Sequence, residues 1–181
     1  MDPRHLIQKY YTKGSLSYEI LVVHSEVVTT KALAFADGVA YLQPDVRFVR
    51  EAAMLHDIGI FLTDARKIGC TGAAPYIMHG PLGRELLEKE GLPRHALVCD
   101  RHTGVGISKS EIVEKKLSLP ERDMLPVTLE EKIICFADCF YGKDPRNLTK
   151  EKSIVEVEKS IARFGAEHLE RLNGLRKLFN V

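Results

Sequence analysis

The sequence predicts an all-α protein, and three observations carry that expectation. Apolar residues recur at helical spacing along most of the chain. Signals for β-strands are weak. Glycine, proline and capping residues fall where such helices would start and stop. The 181 residues suit one compact domain, residues 1–181, and the 45% apolar content is enough for a full core.

A first amphipathic helix is expected from about Ser17 to Asp37, with Ile20, His24, Val27 and Val28 on one face. Gly38 ends it, because glycine accepts the left-handed conformation that closes helices. Asp45 is a natural N-cap for a second helix reaching about Asp57, on which Val46, Val49, Ala52, Ala53 and His56 share a face. Residues 63–78 carry Gly69, Gly72 and Pro75 and read as a loop, long enough to be functional or a plain surface excursion. Pro81 falls near the first turn of a third helix that ends by Gly91, and Pro93 opens a fourth that runs to about Asp100. Residues 103–127, rich in glycine, serine, proline and charge, read as an irregular excursion. Thr128 and Glu131 form a capping-box pattern, starting a fifth helix that carries Ile133, Ile134, Ala137 and Asp138. Ser153 to Phe179 is helical in period, with a break fitting at Gly165.

A formal net charge of +1 leaves no broad basic surface for long nucleic acid, while allowing a local cationic pocket. The longest apolar stretches are far short of a membrane span, and the polar N-terminus lacks the apolar segment of a signal peptide. A cytoplasmic protein is expected. Cys70, Cys99, Cys135 and Cys139 form no C-x-x-C pair and read as small core residues.

The chemistry lies among the histidines and aspartates. His24 and His56 sit on apolar helix faces, and Asp57 follows His56 directly. Asp138 interrupts the apolar run from Ile133 to Phe140. A buried carboxylate there is costly unless it is paired, with Lys132 or Lys143 for example, or bound to a metal. A cation surrounded by imidazole and carboxylate would satisfy all of these groups, and that donor set suits Fe, Mn or Zn rather than Ca. Taken singly, each histidine could instead be a hydrogen-bonded core residue. His5, His95 and His168 have no such context and read as surface residues.

Leu55-His56-Asp57-Ile58-Gly59 contains the H-D-I-G sequence of one branch of the HD superfamily, and the order His24, His56-Asp57, Asp138 resembles that superfamily's metal-binding signature. The resemblance covers about residues 20–141 and implies a single HD-type helical bundle, with the C-terminal helix or helices at about 153–179. His79, before Gly80-Pro81, and His102, before Thr103, lie where dinuclear branches hold two further histidines. The chain is similar in this to the bacterial dinucleoside-polyphosphate hydrolases. The resemblance implies that His24, His56, Asp57 and Asp138 bind a first metal, that Asp57 bridges, and that His79 and His102 complete a second. It implies two divalent first-row ions, Fe or Mn above all, with Zn, Co, Ni or Mg as alternatives. His56 and Asp57 become the catalytic pair, and a water activated between the metals attacks phosphorus.

The implied substrate is a nucleotide or another small phosphorylated metabolite, gripped by Arg101, Lys143 and Arg146, though each could equally be a solvated surface charge. The position three beyond Asp57, where many relatives carry a phosphate-binding lysine, is Ile60; Arg66 and Lys67 are the nearest replacements. The full G-Y-P pattern of cyclic di-GMP phosphodiesterases is missing. Two other readings use similar ligands: a di-iron oxygenase of HD type, and a non-catalytic regulatory module with a structural metal. The apolar final helix would serve a homodimer as readily as the core.

Overall fold

A long central helix organises the computed structural model, which describes all 181 residues. After the short helix α1 (Pro3–Tyr10), α2 (Leu16–Gly38) runs for 23 residues, capped by the Ser15 hydroxyl accepting the Tyr18 N–H. Its buried residues are not confined to one stripe, because it packs against both α3 (Val46–Leu55) and α7 (Leu129–Asp138). Helices α4 (His79–Lys89) and α5 (Pro93–Arg101) form the most closely packed pair, and α8 (Ile154–Ala162) and α9 (Ala166–Phe179) close the chain. The fold is therefore all-α, and no helix is long and apolar enough to cross a membrane.

The N-terminal helix α1 has no counterpart among the expected elements. Its eight residues bury only Ile7, Asp2 caps it ahead of Pro3, and docking through Ile7 and Tyr11 holds it in place. The 63–78 stretch contains a two-stranded hairpin, Asp64–Ala65 antiparallel to Cys70–Thr71, with Asp64 opposite Thr71. The excursion at 103–127 contains a further helix, α6 (Lys109–Glu114), whose Ser108 and Glu111 form a complete reciprocal capping box. At α7 the box is only half made. Thr128 caps the Glu131 N–H, but the Glu131 carboxylate turns to the Val127 N–H and Arg101.

The apolar core has two main lobes. One gathers α1, the start of α2, the end of α3, α4 and α5 around Leu21, Leu55, Ile58 and Leu87. The other gathers the rest of α2 with α3, α7, α8 and α9 around Val28, Val49, Phe136 and Leu172. On α2 the lobes change over between Val22 and Val28, and His24 stands at that seam.

Two histidines read as surface residues are in fact buried. His95 lies edge-on to Phe48, and His168 pairs with Glu111, joining α9 to the excursion. His5 is exposed, beside Asp2. Burial pushes the Glu111 carboxyl up, but the Ser108 backbone N–H and hydroxyl, His168 and Arg171 outweigh it and hold its pKa at about 2. A carboxyl depressed on folding contributes stability above its unfolded value and loses it as pH falls. Wild type is thus expected to lose urea resistance between pH 4.5 and about 2 more steeply than Glu111→Gln. Parallel pH curves for the two proteins would remove Glu111 from this role.

Candidate metal centre

Six side chains from five helices converge at the seam between the lobes. His24 comes from α2, and His56 and Asp57 follow the last residue of α3. His79 opens α4, His102 follows α5, and Asp138 ends α7. They fall into two groups that share one residue: His24, His56, Asp57 and Asp138, and Asp57, His79 and His102.

Close approach of backbone makes this convergence possible. A Cβ on Gly59 would lie 2.3 Å from the His79 carbonyl oxygen and 2.5 Å from the Gly83 nitrogen, so only glycine lets α4 reach the turn that carries Asp57. Gly80 plays the same part against α5, with a virtual Cβ 2.6 Å from the Cys99 carbonyl oxygen. The turn itself is held by a buried phenol. Tyr11 donates its hydroxyl to the Ile58 carbonyl at 2.8 Å and accepts the Phe61 N–H at 3.2 Å.

Three of the imidazoles are oriented by one device. His56 Nδ1 donates to the Ala53 carbonyl at 2.6 Å, His79 Nδ1 to the Tyr76 carbonyl at 2.7 Å, and His102 Nδ1 to the Cys99 carbonyl at 2.8 Å. Each acceptor lies three residues earlier; for His56 and His102 it is a carbonyl of the last helical turn, where intrahelical partners run out. With its proton on Nδ1, each neutral ring presents the Nε2 lone pair to the site, as ligating histidines do.

The ligand spacing fits a first-row ion. Asp57 Oδ2 is 3.2 Å from both His24 Nε2 and His56 Nε2, and Asp138 Oδ1 is 2.9 Å and 3.4 Å from the same two atoms. Metal bonds near 2.1 Å place neighbouring donors about 3.0 Å apart in an octahedron and about 3.4 Å in a tetrahedron. Asp57 Oδ1 faces the other way, 3.5 Å from His79 Nε2 and 3.4 Å from His102 Nε2. Those two nitrogens are 3.1 Å apart, and with both Nδ1 protons donated elsewhere their lone pairs confront one another unless a cation or proton lies between.

The electrostatics agree. Burial pushes the His79 pKa down to about 4, leaving it neutral near pH 7. For His56, burial also opposes the charge, but the Asp57 and Asp138 carboxylates outweigh it and raise the pKa to about 10. The same two carboxylates would favour a divalent ion in place of that proton. Burial raises the Asp57 and Asp138 carboxyls, yet Lys143 and His56 hold both well below the carboxylate range. In fully buried Asp57, Oδ2 meets the Lys143 ammonium, but Oδ1 has no hydrogen-bond partner, and neither does His56 Nε2. Orphaned buried acceptors are expensive, and divalent ions would satisfy these. The residues present therefore fit divalent metal.

The three expected substrate cations lie in different places. Lys143 reaches the centre, with Nζ 2.5 Å from Asp57 Oδ2. Burial disfavours its ammonium, but Asp57, Tyr76 and Asp138 outweigh this and raise its pKa. Arg146 pairs with Asp144 on the exposed loop that follows. Arg101 turns from the clusters to hold Glu131 with two bonds of 3.0 Å, a link between α5 and α7. Ile60 is fully buried, so that position offers nothing to a phosphate. Arg66 and Lys67 instead line a cleft with Tyr76, Lys143 and Arg146. Sequence reasoning missed Tyr76, whose ring stacks on His79 with centroids 4.8 Å apart. Its only signal is its place three residues before a candidate ligand.

No solved structure matches the chain. An uncharacterized protein of Methanocaldococcus jannaschii is 37% identical over 153 residues, covering 83% of this chain and 78% of that protein. Two tRNA (cytidine(56)-2'-O)-methyltransferases are also similar. That of Picrophilus torridus is 35% identical over 133 residues and that of Thermoplasma volcanium 28% over 173. The alignments cover 73% and 95% of this chain but only 34% and 46% of those proteins. The HD domain profile matches residues 21–143, a span that begins just before His24 and ends at Lys143. With that match laid over the converging histidines and aspartates, the chain belongs to the HD domain family.

Proposed function

We propose that this protein is a metal-dependent phosphohydrolase that cleaves a phosphate ester or anhydride of a nucleotide or small phosphorylated metabolite. In this reading it belongs to the H-D-I-G branch and works like the dinuclear dinucleoside-polyphosphate hydrolases. One observation carries the reading: Asp57 directs its two carboxylate oxygens at two separate groups of ligands. Two divalent ions supply a water of lowered pKa and stabilise charge developing on a phosphoryl group.

The chain's own residues would set up that chemistry. His24, His56, Asp57 and Asp138 would hold one ion, and Asp57, His79 and His102 the other. The second set has three protein donors, which leaves room for water and for a substrate oxygen. The carbonyls of Ala53, Tyr76 and Cys99 keep the imidazoles aimed inward. Lys143 stands at the edge of the centre and Arg146 farther along the cleft, where cations would meet phosphate oxygens. Arg101, engaged with Glu131, supports the scaffold in this reading.

The test is metal content and turnover on anaerobically purified protein. Wild type is expected to hold about two first-row ions per chain, and His79→Ala with His102→Ala about one. Wild type reloaded with Fe or Mn is expected to release phosphate from at least one nucleotide, and the double variant to do so at least a hundredfold more slowly. Because two relatives are tRNA methyltransferases by name, the substrate panel includes phosphorylated oligoribonucleotides. One ion in both proteins would reduce His79 and His102 to substrate contacts. No turnover with Mn, Fe, Co, Ni or Mg would overturn the hydrolase reading, and oxygen consumption by the iron form would favour the oxygenase.

A further inference from the structure

Beside the metal centre lies a cleft of about 1090 Å³. Small-molecule sites run from roughly 300 to 1,000 Å³, so the cleft holds far more than a phosphate group. Its walls come from two loops: the 64–68 hairpin region and the 142–146 segment after α7. Four cations line it against two carboxylates, Asp64 and Asp144. Arg66 pairs with Asp64 and Arg146 with Asp144, while Lys67 has no ion-pair partner. Lys143 and Tyr76 belong to both the cleft and the centre, through Asp57 and His79 respectively.

Tyr76 is the one aromatic side chain in this lining. Its ring is nearly parallel to the His79 imidazole, at 25°, so one face is covered by a candidate ligand. The residue is nonetheless 37% exposed and lines the cleft, which leaves its other face to a ligand. The His79 ring is fixed in turn by its bond to the Tyr76 carbonyl, so the aromatic surface is rigid relative to the metal centre. A rigid aromatic face flanked by cations is what a base and its phosphates require together: stacking for the ring, charge for the oxygens. A simple alkyl phosphate would make no use of it.

We infer that Tyr76 is a specificity-determining residue, a platform on which the base of a nucleotide stacks while Lys67 and Lys143 meet its phosphate. The inference rests on the phosphohydrolase reading for which phosphate reacts, but its own test reads binding.

The experiment is calorimetric titration of Mn-loaded protein with adenosine monophosphate and, separately, with inorganic phosphate, for wild type, Tyr76→Ala and Tyr76→Phe. Loss of one stacking contact corresponds to roughly a tenfold change in Kd. Wild type should therefore bind the nucleotide at least about tenfold more tightly than inorganic phosphate. Tyr76→Ala should erase that preference with the phosphate Kd unchanged, and Tyr76→Phe should keep it. Metal content should stay at the wild-type value in both variants, since the bond to His79 uses the Tyr76 backbone. Equal affinities for the two ligands in wild type, or a preference that survives Tyr76→Ala, would overturn the inference. So would a Tyr76→Ala protein that loses metal and both ligands together, which would make the ring a structural prop for His79. Hydrolysis of a non-nucleotide phosphate with no effect of Tyr76 would sink this inference alone; nucleotide binding that depends on Tyr76 without any turnover would sink only the hydrolase reading.

Discussion

Asp57→Asn is expected to empty the second group of ligands and to lower phosphate release by at least about a thousandfold. The shape of the side chain is kept, so the fold should survive. What changes is charge and donor capacity: one carboxylate oxygen becomes an amide nitrogen that can only donate. The two groups are not equally exposed to this loss. His24 and His56 retain a second carboxylate in Asp138, whereas His79 and His102 have Asp57 as their sole anion. Metal should therefore fall from about two ions per chain to one or fewer, with the His79–His102 ion lost first. Elemental analysis beside a phosphate-release assay decides it. A variant that kept two ions and the wild-type rate would rule out Asp57 as a bridge.

Gly59→Ala is the second large effect, and it works through backbone. The added methyl would sit 2.3 Å from the His79 carbonyl oxygen and 2.5 Å from the Gly83 nitrogen. Neither atom belongs to a side chain that could rotate away, so α4 must shift from the turn carrying Asp57. Overpacking of this kind costs about 1–3 kcal/mol and here belongs at the upper end. For a chain of this size that predicts a Tm lower by roughly 6–12 °C. The shift moves His79 but not His24 or Asp138, so affinity for the second ion should drop before that for the first. Gly174→Ala serves as the control, because a Cβ there meets nothing within 4 Å. Equal melting temperatures for Gly59→Ala and wild type would show that α4 yields freely.

Much of this was legible in the sequence. The helices with strong punctuation were readable: Asp45 and Thr128 do cap α3 and α7, while α2 starts slightly earlier than expected, capped by Ser15. Helix α6 was legible in principle, since Ser108 and Glu111 spell a capping box, but its six residues are too short for periodicity to show. Helix α1 was marked by Asp2 and Pro3 at its start, though its eight residues are short; the burial of His95 and His168 was not legible. Both depend on partners distant in sequence, Phe48 for His95 and Glu111 for His168. The seam ligands His24, His56 and Asp138 stood out because polar groups interrupt apolar faces. His79 and His102 carry no such local mark; only the resemblance placed them beside Asp57. The fate of Arg101 turned on Glu131, thirty residues away, which no local pattern shows.

The candidate ligands are spread widely along the chain, His24 and Asp138 being 114 residues apart. An ion held by both would close that long loop the way a covalent cross-link does, and would tie α2 to α7. The unfolded chain could not gather such a set, so binding is folding free energy. At a free-metal concentration a hundred times Kd, a single ion would add about 2.7 kcal/mol to stability. Metal supply would then regulate the abundance of this protein as well as its rate, because chelated chains would spend more of their time open to proteases.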